Sequence, residues 1–143
     1  MDKRVNTSEI IDRVQSEVKR WIRGFSDMDL VAFARGQWIP QIDLYAEAER
    51  IVVLADLPGL APGDVELSLR GEVLTIAGEK PGGETREKPL VGERRSGTFS
   101  RSVTLPYSVD QKEVSATLTN GVLEIALKRA EPEDKGGIKI DVS

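Results

Sequence analysis

The chain has no histidine and no cysteine among its 143 residues. That removes the Ser-His-Asp triad, the Cys-His pair, thiolate metal ligation and the ordinary zinc site together. No G-x-x-x-x-G-K-[ST] run is present, and the glycines between positions 78 and 97 do not make a G-x-G-x-x-G. The backbone cradle that nucleotide chemistry needs is therefore missing. What remains for acid–base work are clustered carboxylates, Glu47 with Glu49 and Glu131 with Glu133 and Asp134. Runs of this kind read as solvated faces or tails. An enzyme is the least expected class, and neither cofactor nor metal is expected. Asn6-Thr7-Ser8 matches a glycosylation sequon, but without a secretion signal the match reads as accidental.

Charge narrows the partners further. Lys and Arg total 20 against 24 Asp and Glu, a formal charge of -4 spread along the chain, so there is no basic footprint for nucleic acid. The start, MDKRVNTSEIIDRV, is charged within four residues and lacks a continuous apolar core, which is not the pattern of a signal peptide. No run approaches the length of a membrane span. A cytoplasmic protein is expected, and the absence of cysteine fits a reducing compartment.

The elements that remain fall into three zones. Residues 1–37 form an arm in which Ile10, Ile11, Val14, Val18, Trp21, Ile22 and Phe25 recur every three or four positions, the spacing of one helical face. Asn6 with Glu9 resembles a capping box. Beyond Gly24, Phe25, Met28, Leu30, Val31 and Phe33 are scattered without a clean period, which reads as a conformationally adaptable stretch. Residues 38–128 switch to short runs of β-branched and aliphatic residues broken by Pro and Gly. Six strands are expected, at 50–55, 65–69, 73–77, 99–105, 114–118 and 122–127, with 38–44 as a seventh near an edge. Val65/Leu67/Leu69, Val103/Leu105, Val114/Ala116/Leu118 and Leu123/Ile125/Leu127 alternate, so each of these strands has one face to bury. Two antiparallel sheets packed face to face, an all-β immunoglobulin-like sandwich, would bury them. Asn120-Gly121 is a strong hairpin signal between the last two strands.

Two features exceed what a sandwich needs. The connection over residues 78–97 is long and carries a lone apolar pair, Leu90-Val91. Residues 129–143 read as a charged tether, RAEPEDKGG, followed by IKIDVS. In an extended chain Ile138 and Ile140 would project from one face about 6.6 Å apart.

This arrangement resembles the small heat-shock protein family (Hsp20, α-crystallin domain) in its bacterial form. Trp38-x-Pro40-x-Ile42-Asp43 resembles the start of that domain, and Ala55-Asp56-Leu57-Pro58-Gly59 the family's turn after its third strand. Leu74-x-Ile76-x-Gly78-Glu79 is similar to the segment before the long loop, and Glu93-Arg94-x-x-Gly97-x-Phe99-x-Arg101 through Leu105-Pro106 to its exit. Ala116-x-x-x-Asn120-Gly121-Val122-Leu123 and Ile138-x-Ile140 complete the likeness over roughly residues 38–140. Position 95 is Arg where bacterial relatives often carry an aromatic, and the loop strand is reduced to Leu90-Val91.

The resemblance implies an oligomeric, ATP-independent holdase that captures partly unfolded clients under stress. It implies that Ile138 and Ile140 anchor in a neighbour's groove between strands 65–69 and 114–118, lined by Val65, Leu67, Leu69, Val114, Ala116 and Leu118. It implies a dimer interface involving Leu90, Val91, Arg94 and Arg101, and client contacts through Trp21, Ile22, Phe25, Met28 and Phe33. Release of clients would fall to ATP-dependent chaperones. A competing reading is a co-chaperone-like sandwich that docks one dedicated partner. Another is a membrane-surface protein using the helix with Arg13, Lys19, Arg20 and Arg23, but Glu9, Asp12 and Glu17 on its polar face weaken attraction to anionic lipid.

Overall fold

The structure is a computed structural model that describes residues 6–82, 87–131 and 141–142, the side chains of 19–23 excepted. Helices α1 (Thr7–Arg23) and α2 (Asp27–Ala34) precede seven strands. These are β1 (Ile42–Ala46), β2 (Arg50–Asp56), β3 (Val65–Arg70), β4 (Val73–Lys80), β5 (Gly97–Thr104), β6 (Val109–Thr119) and β7 (Val122–Arg129). They form two antiparallel sheets, ordered β1-β2-β7-β6 and β3-β4-β5. The expected all-β sandwich is the observed architecture.

The core follows from alternation on the central strands. Ile51, Val53 and Ala55 of β2, with Leu127, Ile125 and Leu123 beside them on β7 of the same sheet, pack with Leu74 and Ile76 of β4 and Phe99 of β5, all buried in one cluster. Their packing is the main stabilising term of the sandwich, each such side chain contributing roughly 1.5–3 kcal/mol of transfer free energy. Asn120 and Gly121 both have positive φ (52° and 78°), the type I′ geometry whose twist suits the β6–β7 hairpin. Gly78 is required for a different reason. A Cβ there would run into the Asp64 carbonyl oxygen and stand 2.8 Å from Phe99 Cζ, so only glycine fits beneath the 3-10 turn Pro62–Asp64.

Two elements differ from the sequence reading. The stretch after Gly24 is a capped helix rather than aperiodic. The Ser26 hydroxyl accepts from the Asp29 N–H at 3.2 Å, and Asp29 Oδ2 accepts from the Ser26 N–H at 3.0 Å. That reciprocal cap stabilises a helix whose apolar residues do not fall on one face. β6 begins at Val109 rather than 114, with a register break between Val109 and Val114. The intervening residues 110–113 are polar, so no alternation marks them. Trp38 lies outside β1 but forms an isolated parallel bridge to Phe99 of β5.

Candidate functional site

Candidate surfaces come from the edges of the sandwich. Trp38 ties the approach to β1 onto β5, donating its N–H to the Thr98 carbonyl at 3.2 Å and its indole Nε1 to Gly97 at 3.2 Å. At the other side, Ser108 just before β6 donates to Glu72 in the β3–β4 turn at 3.1 Å. That bond links the start of β6 to the turn that ends β3. Leu67 pairs with Ile76 and Leu69 with Leu74, while Ala116 pairs with Ile125 and Leu118 with Leu123. Side chains in register share a face, so Val65, Leu67 and Leu69 of β3 and Val114, Ala116 and Leu118 of β6 all turn toward the core. They are incompletely covered nonetheless. The three on β3 and Leu118 are half-buried, and Val114 and Ala116 are exposed. The result is a pair of apolar rims on strands that are, among the described residues, the outer ones of their sheets.

The tail residues Ile138 and Ile140 lie outside the described residues. In the long connection, Leu90 and Val91 stand free of the sandwich, 105% and 76% exposed, and Arg94 is exposed beside them. Leu90 is wholly uncovered by its own chain and Val91 largely so.

Arg101, which the resemblance groups with that loop at a dimer interface, is buried against the arm of its own chain. It is 5% exposed, and its Nε lies 3.5 Å from Asp29 Oδ2, which is 1% exposed. Its Nη2 donates to the Gly24 carbonyl at 2.8 Å, and the guanidinium sits 4.7 Å from the Phe25 ring centroid. Burial lowers the Arg101 pKa from its ordinary value, and the Asp29 carboxylate opposes that shift. The other oxygen of Asp29 accepts the Ser102 N–H at 2.7 Å, so one carboxylate joins α2 to both the charge and the backbone of β5. Asp29 was not singled out from the sequence, although Ser26-x-x-Asp29 is a cap signal in which Asp replaces the usual Glu.

Around this clasp the arm presents apolar surface. Met28, Leu30, Val31 and Phe33 of α2 are each about half exposed or more (48–59%), as are Ile10, Ile11, Val14 and Val18 of α1 (46–55%). Phe25 is half-buried beneath Arg101. The side chains of Trp21 and Ile22 lie outside the described part, on the last turns of α1.

The described members of the clustered carboxylates lie at the surface. Glu47 pairs with Arg50 at 2.8 Å in the exposed β1–β2 turn, and Glu49 and Glu131 are solvated. Glu133 and Asp134 lie outside the described residues. Among the described residues no group of acids is arranged to hold a metal ion.

The model of the Hsp20/alpha crystallin family matches residues 43–143. The chain belongs to that family. A "Probable 15 kDa heat shock protein" of Leptospira interrogans is 36% identical over 103 residues, 72% of this chain and 77% of that protein. Heat shock protein 16.0 of Schizosaccharomyces pombe superposes with a TM-score of 0.66 at 26% identity, covering 92% of this chain and 93% of that one. A small heat-shock protein from Xylella fastidiosa, whose structure is described as revealing a distinct high order structure, gives 0.61 at 34% identity over 75% and 98%. Hsp20/alpha crystallin members are small heat-shock chaperones that act without ATP, not enzymes. For this member, Leu74 and Ile76 of the L-x-I-x-G-E segment are core positions, and Gly78 leaves room for the Asp64 carbonyl and the Phe99 ring. No helix among the described residues is long and apolar enough to cross a membrane.

Proposed function

We propose that this chain is a holdase: it captures partly unfolded proteins on apolar surface, prevents their aggregation under stress, and leaves release to ATP-dependent chaperones. The observation that carries the reading is the array of apolar side chains left exposed on α1 and α2, outside the buried core of the sandwich. Large apolar side chains exposed in such number on two neighbouring segments of the chain are the usual mark of a surface that meets a partner. Apolar burial is non-directional and needs no matched polar groups, so Trp21, Ile22, Phe25, Met28 and Phe33 suit many clients. Neither nucleic acid nor membrane is a partner in this reading, and the cytoplasm is the setting.

Three working units follow: an arm over residues 1–37, the sandwich over 38–128 and an extension over 129–143. Ile138 and Ile140 dock as an added strand on the rims of a neighbour, with side chains between β3 and β6. Their burial gives on the order of 3–6 kcal/mol gross, much of it offset by ordering. The nine residues RAEPEDKGG extend at most about 30 Å, enough to reach an adjacent subunit. Repetition around an oligomer turns a weak contact into a strong one. Leu90 and Val91, with Arg94, supply a second self-contact between protomers, which Arg101 joins only indirectly because the arm covers it.

Replacing Met28, Val31 and Phe33 together with Ser tests the client surface. All three are at least half exposed, so the fold and oligomer mass should persist while protection of a heat-labile enzyme falls. Full protection by the triple variant would remove α2 from the client site.

A further inference from the structure

The second helix of the arm also closes a sheet edge. β5 is an outer strand, and the Thr98 carbonyl and Ser102 N–H point away from β4. By the two-residue period of a strand, the backbone groups of Ser100 and Thr104 point the same way. An edge of this length is a template for another strand. Here it is occupied by stand-ins. The Trp38 N–H takes the Thr98 carbonyl in a parallel bridge, and an Asp29 carboxylate oxygen takes the Ser102 N–H at 2.7 Å, where an incoming strand would place a carbonyl.

What holds the second stand-in is a buried ion pair. Asp29 and Arg101 are 1% and 5% exposed at 3.5 Å, and Arg101 Nε has no hydrogen-bond partner. Both groups regain hydration when such a pair opens, so it closes less firmly than an apolar pair of similar shape. We infer that α2 is a removable guard: when the Asp29–Arg101 clasp opens, the bare edge of β5 takes up an extended segment of an unfolded client by backbone pairing. The identity of the occupant rests on the holdase reading above. Backbone hydrogen bonds read no side-chain code, which is what capture of unrelated clients requires.

Amide exchange in the full-length chain tests this, with reduced, unfolded α-lactalbumin as the client probe. Asp29→Ala should speed exchange at Ser100 and Ser102 by about tenfold or more, and the unfolded client should restore protection there. Asp29→Asn combined with Arg101→Met removes both charges while keeping an acceptor for Ser102, so exchange there should be no faster than in the parent and insensitive to client. Core amides at Ile51 and Ile125 report that each variant is folded. Should Asp29→Ala fail that check, Asp29→Asn, which keeps an acceptor for Ser102 and drops the charge, is read the same way. Unchanged exchange in the opened variant, or no restored protection when client is bound, would overturn the guard. Protection that rises with chain concentration alone would also overturn it, because the occupant would then be a second copy. Aggregation assays on the same samples separate the two readings. If no variant suppresses aggregation the holdase reading fails, whereas equal suppression with a client-insensitive edge removes the guard alone.

Discussion

Gly78→Ala adds one methyl group where the fold has no room for it. Gly78 pairs with Val65 on one side and Phe99 on the other, in the middle of the three-stranded sheet. The new Cβ would meet the Asp64 carbonyl oxygen, a backbone atom fixed by the turn into β3, and stand 2.8 Å and 3.0 Å from Phe99 Cζ and Cε1. The ring has nowhere to swing, being 1% exposed and packed on Trp38 with centroids 4.9 Å apart. Overpacking costs about 1–3 kcal/mol, and with a backbone atom in the way the upper end, about 3 kcal/mol, is expected. For a domain of this size that corresponds to a Tm lower by roughly 12–20 °C. Guanidinium unfolding at fixed protomer concentration is the assay, since assembly itself adds stability. The midpoint should fall with the slope unchanged. A loss below about 1 kcal/mol would show that the turn and Phe99 yield easily, and that the packing argument for this glycine is wrong.

Ile138→Ala with Ile140→Ala should reduce the oligomer to small species by native mass spectrometry, and unchanged mass would remove the tail anchor. Leu67→Lys, on the half-buried β3 rim, should do the same while the sandwich stays folded by circular dichroism. An unaltered assembly would place the receiving groove elsewhere. Gly121→Val should destabilise by roughly 1–3 kcal/mol, because φ is +78° and a Cβ would stand 3.2 Å from Pro58 Cα. A thermal midpoint equal to that of the parent would contradict the turn geometry.

The sandwich was legible because its buried positions alternate. Leu123/Ile125/Leu127 and Leu74/Ile76 are apolar on one face, and Asn120-Gly121 can be read as a turn from residue type alone. α2 was not legible by period, since its apolar residues surround it. Only the cap pair Ser26 and Asp29 marks it, and that signal is short. The first part of β6 was hidden for a similar reason, its residues 110–113 being polar and out of register. The Asp29–Arg101 clasp joins positions 72 apart through tertiary packing, which no local pattern records. Arg101 was named only through the family resemblance, as part of a dimer interface; that it meets Asp29 depends on where α2 folds back.

The central claim is nucleotide-free capture of unfolding proteins by an assembled chain. It is tested most directly by light scattering of an unrelated enzyme during heating, with and without this protein and with no nucleotide, while oligomer mass is recorded in parallel. Suppressed scattering by a large oligomer is the expected result. Undiminished scattering in the presence of a small species of one size would contradict the account and favour a sandwich dedicated to a single partner.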